Sequence, residues 1–313
     1  MSDSRSAADS FASRFPFLLI ASGVLFYGTG PVLARSSDTS GSLLSFWRLW
    51  FGVAVFLAAL VVHRVSGRDM GTPAGWGWAV AAGTAFSLNQ VLFFTAVKRT
   101  SVADTSLMST LSPIIVAVLA IPLFGERPAP AFRLWSLMAI FGATFVILGS
   151  SSGSEGDLVG MLMALGSATF FSGFFLISKW SRPQIPVVGF LTGVMASAAV
   201  WVSLYVVLIG ESPSSVSGPD KWRALAMAVI PGALGHVAMT WPLRYVPANV
   251  PPLMRLAGPV VSGGLAWVLL GEAATWVHLA GGAVILGGQV GAILSPAGQD
   301  LVAGARDRRS GNG

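Results

Sequence analysis

Arg48 and Arg255 each fall inside a long apolar run of this sequence. A guanidinium offers a planar fork of donors that fits a carboxylate or phosphate in two parallel bonds, so the chemistry these residues suggest is anion recognition. The competing reading is snorkelling. Each arginine stands about five residues, or roughly 7 to 8 Å at 1.5 Å per residue, from the start of its run, near enough for a long side chain to reach a polar boundary. Gln90 and His236, with Asn89 beside Gln90, sit near the middle of two other apolar runs. Hydrocarbon cannot satisfy such groups, so they must face a cavity or tie one helix to another. His236 is the group among them expected to titrate near neutral pH, which makes it the candidate proton site. Tyr27, Trp201 and Tyr205 are placed either to line an amphipathic cavity or to pack against neighbouring helices. Gly28, Gly30 and Pro31 in one run, and Pro113 and Pro259 in two others, weaken a helix locally and mark expected points of flexure or gating.

The 13 acidic residues are informative by position: all lie in termini, in joints or at a helix edge, as Asp104 does, so no mid-run carboxylate is available for a proton relay. Proton movement through a carboxylate relay is therefore not implied. No catalytic residue, metal site or cofactor is expected. There is no G-x-x-x-x-G-K-[ST] to cradle phosphates, no H-E-x-x-H for zinc and no G-x-S-x-G elbow, and Ser262 and His236 have no spacing signature. The chain has no cysteine, which excludes disulfides and thiolate metal sites.

The elements that position these residues are apolar helices. Hydrophobic residues make up 54% of the 313 and charged residues only 10%, against about 25% in an ordinary soluble domain. A bilayer core needs roughly 20 apolar residues per helix. Runs of that kind are predicted over 15–34, 44–62, 76–97, 103–124, 134–150, 159–178, 187–209, 224–243, 250–270 and 276–294. The first, though it follows Arg5 and Arg14, is long for a signal peptide and is read as a span. Most of the 11 tryptophans, among them Trp76, Trp135, Trp222 and Trp276, fall near run ends, where an amphipathic ring suits the headgroup level.

The net charge of +6 does not indicate nucleic acid, because the basic residues are scattered singly at run ends rather than clustered on one face or tail. Sorted by alternate joints, twelve Lys and Arg fall on the side of the N-terminus and five on the other. The positive-inside bias then predicts both termini in the cytoplasm and an even number of spans.

The most specific feature is an internal repeat at an offset of 146 residues. Positions 98–126 lie over 244–272 without a gap, with identities at Leu107/Leu253, Met108/Met254, Pro113/Pro259, Leu119/Leu265, Ala120/Ala266, Leu123/Leu269, Gly125/Gly271 and Glu126/Glu272. The pattern P-x11-G-E occurs twice, each time at a helix end. The predicted organisation is a cytoplasmic tail (1–14), a five-helix repeat (15–150), a linker (151–158), a second five-helix repeat (159–294) and a cytoplasmic tail (295–313). An odd number of helices per repeat makes the second half enter the membrane from the opposite side. The expected fold is thus an all-α membrane protein of ten transmembrane helices in two inverted five-helix repeats, the usual construction of secondary transporters. Gly282, Gly287, Gly288 and Gly291 favour close packing of the last helix, within one chain or across a homodimer.

On these motifs the chain resembles the drug/metabolite transporter superfamily, in particular its EamA-type ten-helix carriers. The resemblance covers about 15–294 and rests on Phe46-Trp47-Arg48, on Leu111-Ser112-Pro113 with Gly125-Glu126-Arg127, and on Ala257-Gly258-Pro259 with Gly271-Glu272. It implies a multi-pass protein of a bacterial cytoplasmic (inner) membrane, with a cavity lined by helices 1 to 4 and 6 to 9. It also implies export of small organic solutes, such as amino acids, related metabolites or drugs, by alternating access. The partners expected are the lipid bilayer and a small-molecule solute, carboxylated if the arginines bind it. Flipping of a lipid-linked substrate is the alternative, and a membrane-embedded enzyme a more distant one. The chain departs from many relatives at Met254-Arg255-Leu256-Ala257-Gly258, where they carry an acidic or small residue before the proline.

Overall fold

The computed structural model describes residues 15–112, 114–115, 130–151, 157–181, 184–235, 238 and 254–294. Among these residues the secondary structure is helical throughout: α1 (Pro16–Arg35), α2 (Gly41–Val65), α3 (Pro73–Arg99), α4 (Val102–Ser109), α5 (Pro130–Ser151), α6 (Leu158–Ser181), α7 (Val187–Leu208), α8 (Gly218–Met227), α9 (Gly258–Leu270) and α10 (Trp276–Leu294). Five helical segments are long and apolar enough to cross a bilayer: Phe17–Arg35, Gly41–Val65, Pro73–Arg99, Leu158–Ser178 and Val187–Leu208. Arg133–Gly149, Gly258–Leu270 and Trp276–Ala292 are shorter apolar helices. His236, Pro113, the linker residues 152–156 and both tails fall outside the described residues.

Local sequence explains where the helices start. Ser40, Thr72, Ser101 and Ser217 each accept the backbone N–H three residues on, which satisfies one of the donors a helix leaves unpaired at its beginning. Ser101 and Ser217 are followed by Asp104 and Asp220 in the first turn, where a carboxylate also meets the positive end of the helix dipole. Pro259 sits in the first turn of α9, where its missing N–H costs nothing. The chain before it is helical at Met254-Arg255 and interrupted at Leu256-Ala257. Gly271, at φ 72°, ends α9 in the left-handed region that favours glycine, and the turn it makes lets the Glu272 N–H reach the Ala266 carbonyl. That accounts for the glycine of the repeated G-E motif.

Two features differ from expectation. The second helix begins at Gly41 rather than 44, so Arg48 stands seven residues into α2, about 10 Å deep. The eighth begins at Gly218 and passes into a π-helical turn, Ala228–Leu234, around Pro231. A proline removes one ladder donor and crowds the preceding turn, and widening that turn relieves the clash.

Several of the helix pairs in contact exchange when the two halves are swapped. α1 packs on α9 and α6 on α4; α2 packs on α8 and α7 on α3; α5 packs on α10, α4 on α9 and α2 on α7. The α5–α10 contact is close. A Cβ added at Gly288 would lie 2.7 Å from the Ala139 nitrogen and the Trp135 carbonyl oxygen, and one at Gly142 would lie 2.9 Å from the Ile285 nitrogen. The glycines of α10 thus serve packing within one chain. Two of the buried clusters that make up the core are one on α2, α3 and α7 around Leu49, Phe86, Val194 and Val202, and one joining α4, α5, α6 and α10 around Met108, Ala143 and Ile285.

Candidate functional site

The middle of the bundle carries a chain of polar side chains. The Arg48 guanidinium on α2 donates through Nη1 to Oε1 of Gln90 on α3. Gln90 Nε2 donates to Asn89 Oδ1 at 2.9 Å, and Asn89 Nδ2 donates to the Ser167 carbonyl oxygen at 3.0 Å and to Ser167 Oγ at 2.8 Å, on α6. Asn89 and Gln90 are buried, at 7% and 6% exposure, and Ser167 is fully enclosed. Every acceptor in this chain is neutral. Arg48 also lies 5.5 Å above the Phe94 ring, and its Nε is buried without a hydrogen-bond partner. Arg48 therefore does not snorkel: its guanidinium is held inward by α3.

Arg255 approaches the same region from the second half. Its guanidinium carbon lies 5.1 Å from the ring centroid of Tyr27 on α1 and 5.4 Å from that of Phe171 on α6, within cation–π range of both. Among the sequence-derived candidates, Arg48, Gln90 and Asn89 are thus joined by hydrogen bonds and Arg255 lies over Tyr27, and the two groups meet α6 one turn apart, at Ser167 and Phe171. Trp201 is not among them: it is 45% exposed on the side of α7 that carries Leu204 and Leu208, and Tyr205 shares that side. α1 is helical straight through Gly28, Gly30 and Pro31. Gly28 serves close approach, since a Cβ there would meet Val261 Cγ1 at 2.6 Å. Ser167, Phe94 and Phe171 were not singled out from sequence; an apolar helix rich in Phe and Ser gives no signal of which ring or hydroxyl faces inward.

The end of the bundle remote from Phe15 is tied across the halves. Arg35 Nε meets Glu272 Oε1 at 2.6 Å, Glu272 Oε2 accepts the Val102 N–H at 3.1 Å, and Arg35 Nη1 donates to the Lys98 carbonyl oxygen at 3.0 Å. His278 Nε2 pairs with Asp104 Oδ1 at 3.0 Å, an interaction 9% and 1% exposed on its two sides, and Asp104 Oδ2 accepts from Thr100 and Ser101. Thr39 Oγ1 donates to Asp220 Oδ2 at 2.7 Å, Arg223 pairs with Asp220 Oδ1, and Ser42 donates to Glu211. Burial alone would raise the Asp220 carboxyl, but hydrogen bonds from Thr39, Ser37 and Arg223, with the Arg223 charge, outweigh it and lower the group to about 2. A cleft of about 450 Å³ at this end is bordered by Asp38, Glu211 and Asp220, away from the two arginines. No group of His, Cys, Asp and Glu among the described residues is arranged to hold a metal ion.

This arrangement has recognisable relatives. The chain is 26% identical to an uncharacterized transporter of Bacillus subtilis, YwfM, over 84% of its length and 89% of that protein. It is 29% identical to the aromatic amino acid exporter YddG of Ancylobacter novellus, over 84% and 92%, and 24% identical to the pseudopaline exporter CntI of Pseudomonas aeruginosa, over 82% and 87%. A solved crystal structure shares the fold with a TM-score of 0.61 at 23% identity, covering 88% of this chain and 97% of the other. Residues 14–148 and 158–294 each match the model of one family, and with apolar helices throughout and two matched copies, this multi-pass membrane chain belongs to the EamA-like transporter family, of the drug/metabolite transporter type.

Proposed function

We propose that this protein is a secondary exporter of small carboxylated organic solutes, amino acids or related metabolites, across a bacterial cytoplasmic membrane by alternating access. The observation that carries the reading is Arg255. Its guanidinium lies over two aromatic rings from α1 and α6, and among the described residues it has no carboxylate partner. Arg255 is exposed beside those rings, so a solute can reach its guanidinium, and its planar fork of donors is suited to hold an anionic group, which lysine cannot do in the same bidentate way. The names of two relatives, an aromatic amino acid exporter and a pseudopaline exporter, support the export of solutes of this kind.

Two inverted five-helix repeats, 15–150 and 159–294, joined by the linker 151–158, are the proposed frame, with ten spans and both termini in the cytoplasm. The 146-residue repeat and the exchange of helix contacts between the halves support it. Equivalent halves give two packings of similar energy, which is what alternating access requires. In this frame the tied end is the external face, and the structure represents an outward-closed state. Gly28, Gly30 and Pro31, with Pro113, Pro259 and the π turn at Pro231, are the proposed flexure points, and His236 is the proposed proton site. Burial of Asn89 and Gln90 between helices favours an enclosed path over a lipid-facing flippase groove.

Counterflow in proteoliposomes loaded with carboxylated amino acids tests the reading. Arg255→Gln is expected to raise the apparent KM for such solutes at least about tenfold, as loss of a charge-assisted pair implies, while expression and thermal stability are retained. Unchanged KM in Arg255→Gln would refute the assignment.

A further inference from the structure

The relay that holds Arg48 has one possible polarity. A guanidinium carries donors and no acceptor, so the Gln90 atom beside it is the oxygen, Oε1. Gln90 Nε2 then donates to Asn89 Oδ1, and Asn89 Nδ2 to the Ser167 carbonyl oxygen, which can only accept. Both amides are buried and are fixed from both ends. They engage the guanidinium at Nη1 alone. Its Nε is buried without a partner, and among the described residues nothing bonds to Nη2, which shares an edge with the Nε–H. That edge is a fork able to take a carboxylate in two parallel bonds.

The fork lies inside the bundle. Arg48 is half-buried, about 10 Å into α2, with its guanidinium over Phe94. Phe94 belongs to a buried cluster with Val32 of α1, Leu44 of α2, Met227 of α8 and Ala266 of α9, so helices of both matched copies meet beside this cation. No carboxylate of the chain is placed to serve it. All 13 Asp and Glu lie in the tails, in the joints or at helix edges, and the ion pairs among the described residues are made by Arg35, Arg99, Arg223 and His278. A cation at this depth, met only by a neutral amide, is suited to an anion that comes from outside the chain. Resting on the exporter reading above, we infer that Arg48 is a further anion-binding residue, holding a carboxylate of the solute on its Nε–Nη2 edge. Gln90, Asn89 and Ser167 are positioning residues that fix the opposite edge through Nη1. Arg255 stands apart from this relay, on the rings of Tyr27 and Phe171.

Gln90→Glu separates this role from a structural tie between α2 and α3. Glutamate keeps an acceptor for Nη1 but supplies the countercharge from within the chain, so an incoming carboxylate meets a cation already neutralised. The test measures ligand-induced thermal stabilisation of the purified full-length chain. The probes are the standard L-amino acids; the one that stabilises most is then compared with its own carboxamide, with sodium chloride and sodium sulfate as further arms. In Gln90→Glu the half-maximal concentration of that amino acid should rise at least about tenfold, the loss of one charge-assisted pair, while the unliganded melting temperature stays at or above the parent's. A tie alone predicts the same melting temperature with unchanged binding. Arg48→Lys keeps a charged donor for Gln90 but has no fork, and it should weaken binding by a similar factor; it decides the matter if Gln90→Glu does not fold. Unchanged binding in either folded variant, or equal stabilisation of the parent by the carboxamide, chloride or sulfate, would overturn the inference and leave the exporter reading to Arg255→Gln. Failure of every amino acid to stabilise the parent chain would overturn both.

Discussion

Replacing Glu272 by Gln should loosen the tied end of the bundle. The carboxylate joins three elements: Oε1 takes the 2.6 Å bond from Arg35 of α1 and Oε2 the Val102 N–H of α4, while Glu272 itself follows α9. A glutamine keeps one acceptor and turns an N–H₂ toward a donor, so both the charge and one bond are lost. A fully buried charge-assisted bond is worth about 1.5–3 kcal/mol. Here the side chains of Arg35 and Glu272 are 35% and 20% exposed, and screening moves the value toward that of a surface pair, giving about 1 to 1.5 kcal/mol. That corresponds to roughly a tenfold shift toward the open form. The chain has no cysteine, so one introduced at Ser106, which is 8% exposed and bonded to Ser262 of α9, reports opening without background. Labelling by a membrane-impermeant maleimide should be about tenfold faster in Glu272→Gln, and the exchange Arg35→Glu with Glu272→Arg should restore much of the protection. An unchanged labelling rate in the single variant would show that the pair does not hold this end closed.

Two further outcomes follow from packing and charge. The depressed Asp220 carboxyl, about 2 against 3.8, contributes about 2 kcal/mol that is present above the unfolded value and lost only as pH falls through the folded one. The melting-temperature gap between the parent chain and Asp220→Asn should be constant from about pH 8 to 5 and shrink between about pH 4 and 2; a gap that closes near neutral pH would contradict the assignment. In α10, Gly288→Ala places a Cβ 2.7 Å from backbone atoms of α5, whereas Gly287→Ala meets only the end of Met138 at 3.4 Å. The first should cost about 1–3 kcal/mol and lower the melting temperature on the order of 5 °C, and the second should be nearly silent. Equal effects would place the α5–α10 contact elsewhere.

Much of this was legible because a bilayer demands long apolar runs and punishes polar groups inside them. Arg48, Asn89, Gln90, Arg255 and Tyr27 could be picked out as exceptions to an apolar pattern, and the structure joins the first three by hydrogen bonds and sets Arg255 over Tyr27. What periodicity could not supply was direction. Trp201 and Tyr27 are both aromatics in apolar helices, and only packing distinguishes an outward ring from one beneath a guanidinium. Nor does sequence signal Ser167, whose role comes from facing Asn89 across two helices. The π turn at Pro231 was hidden for a related reason: a proline within an apolar run reads alike whether the helix kinks, breaks or widens.

The repeat preserves one kind of residue and abandons another, and the structure gives a reason for each. Gly271 and Glu272, half of the duplicated motif, turn the chain and tie α9 to α1 and α4. Such a tie must exist in equivalent form at both ends if two halves are to close alternately. Arg255 is not duplicated: its counterpart at the 146-residue offset is Ser109. The Ser109 hydroxyl gives its single donor to the Thr105 carbonyl of its own helix at 2.8 Å and asks nothing of its surroundings. A guanidinium has five donors and no acceptor, and its local turn cannot absorb them. Exchanging one for the other converts a self-satisfied position into an exposed cation with donors to offer. In the proposed reading a symmetric frame can move any solute that fits, and the asymmetric cation makes the fit depend on charge.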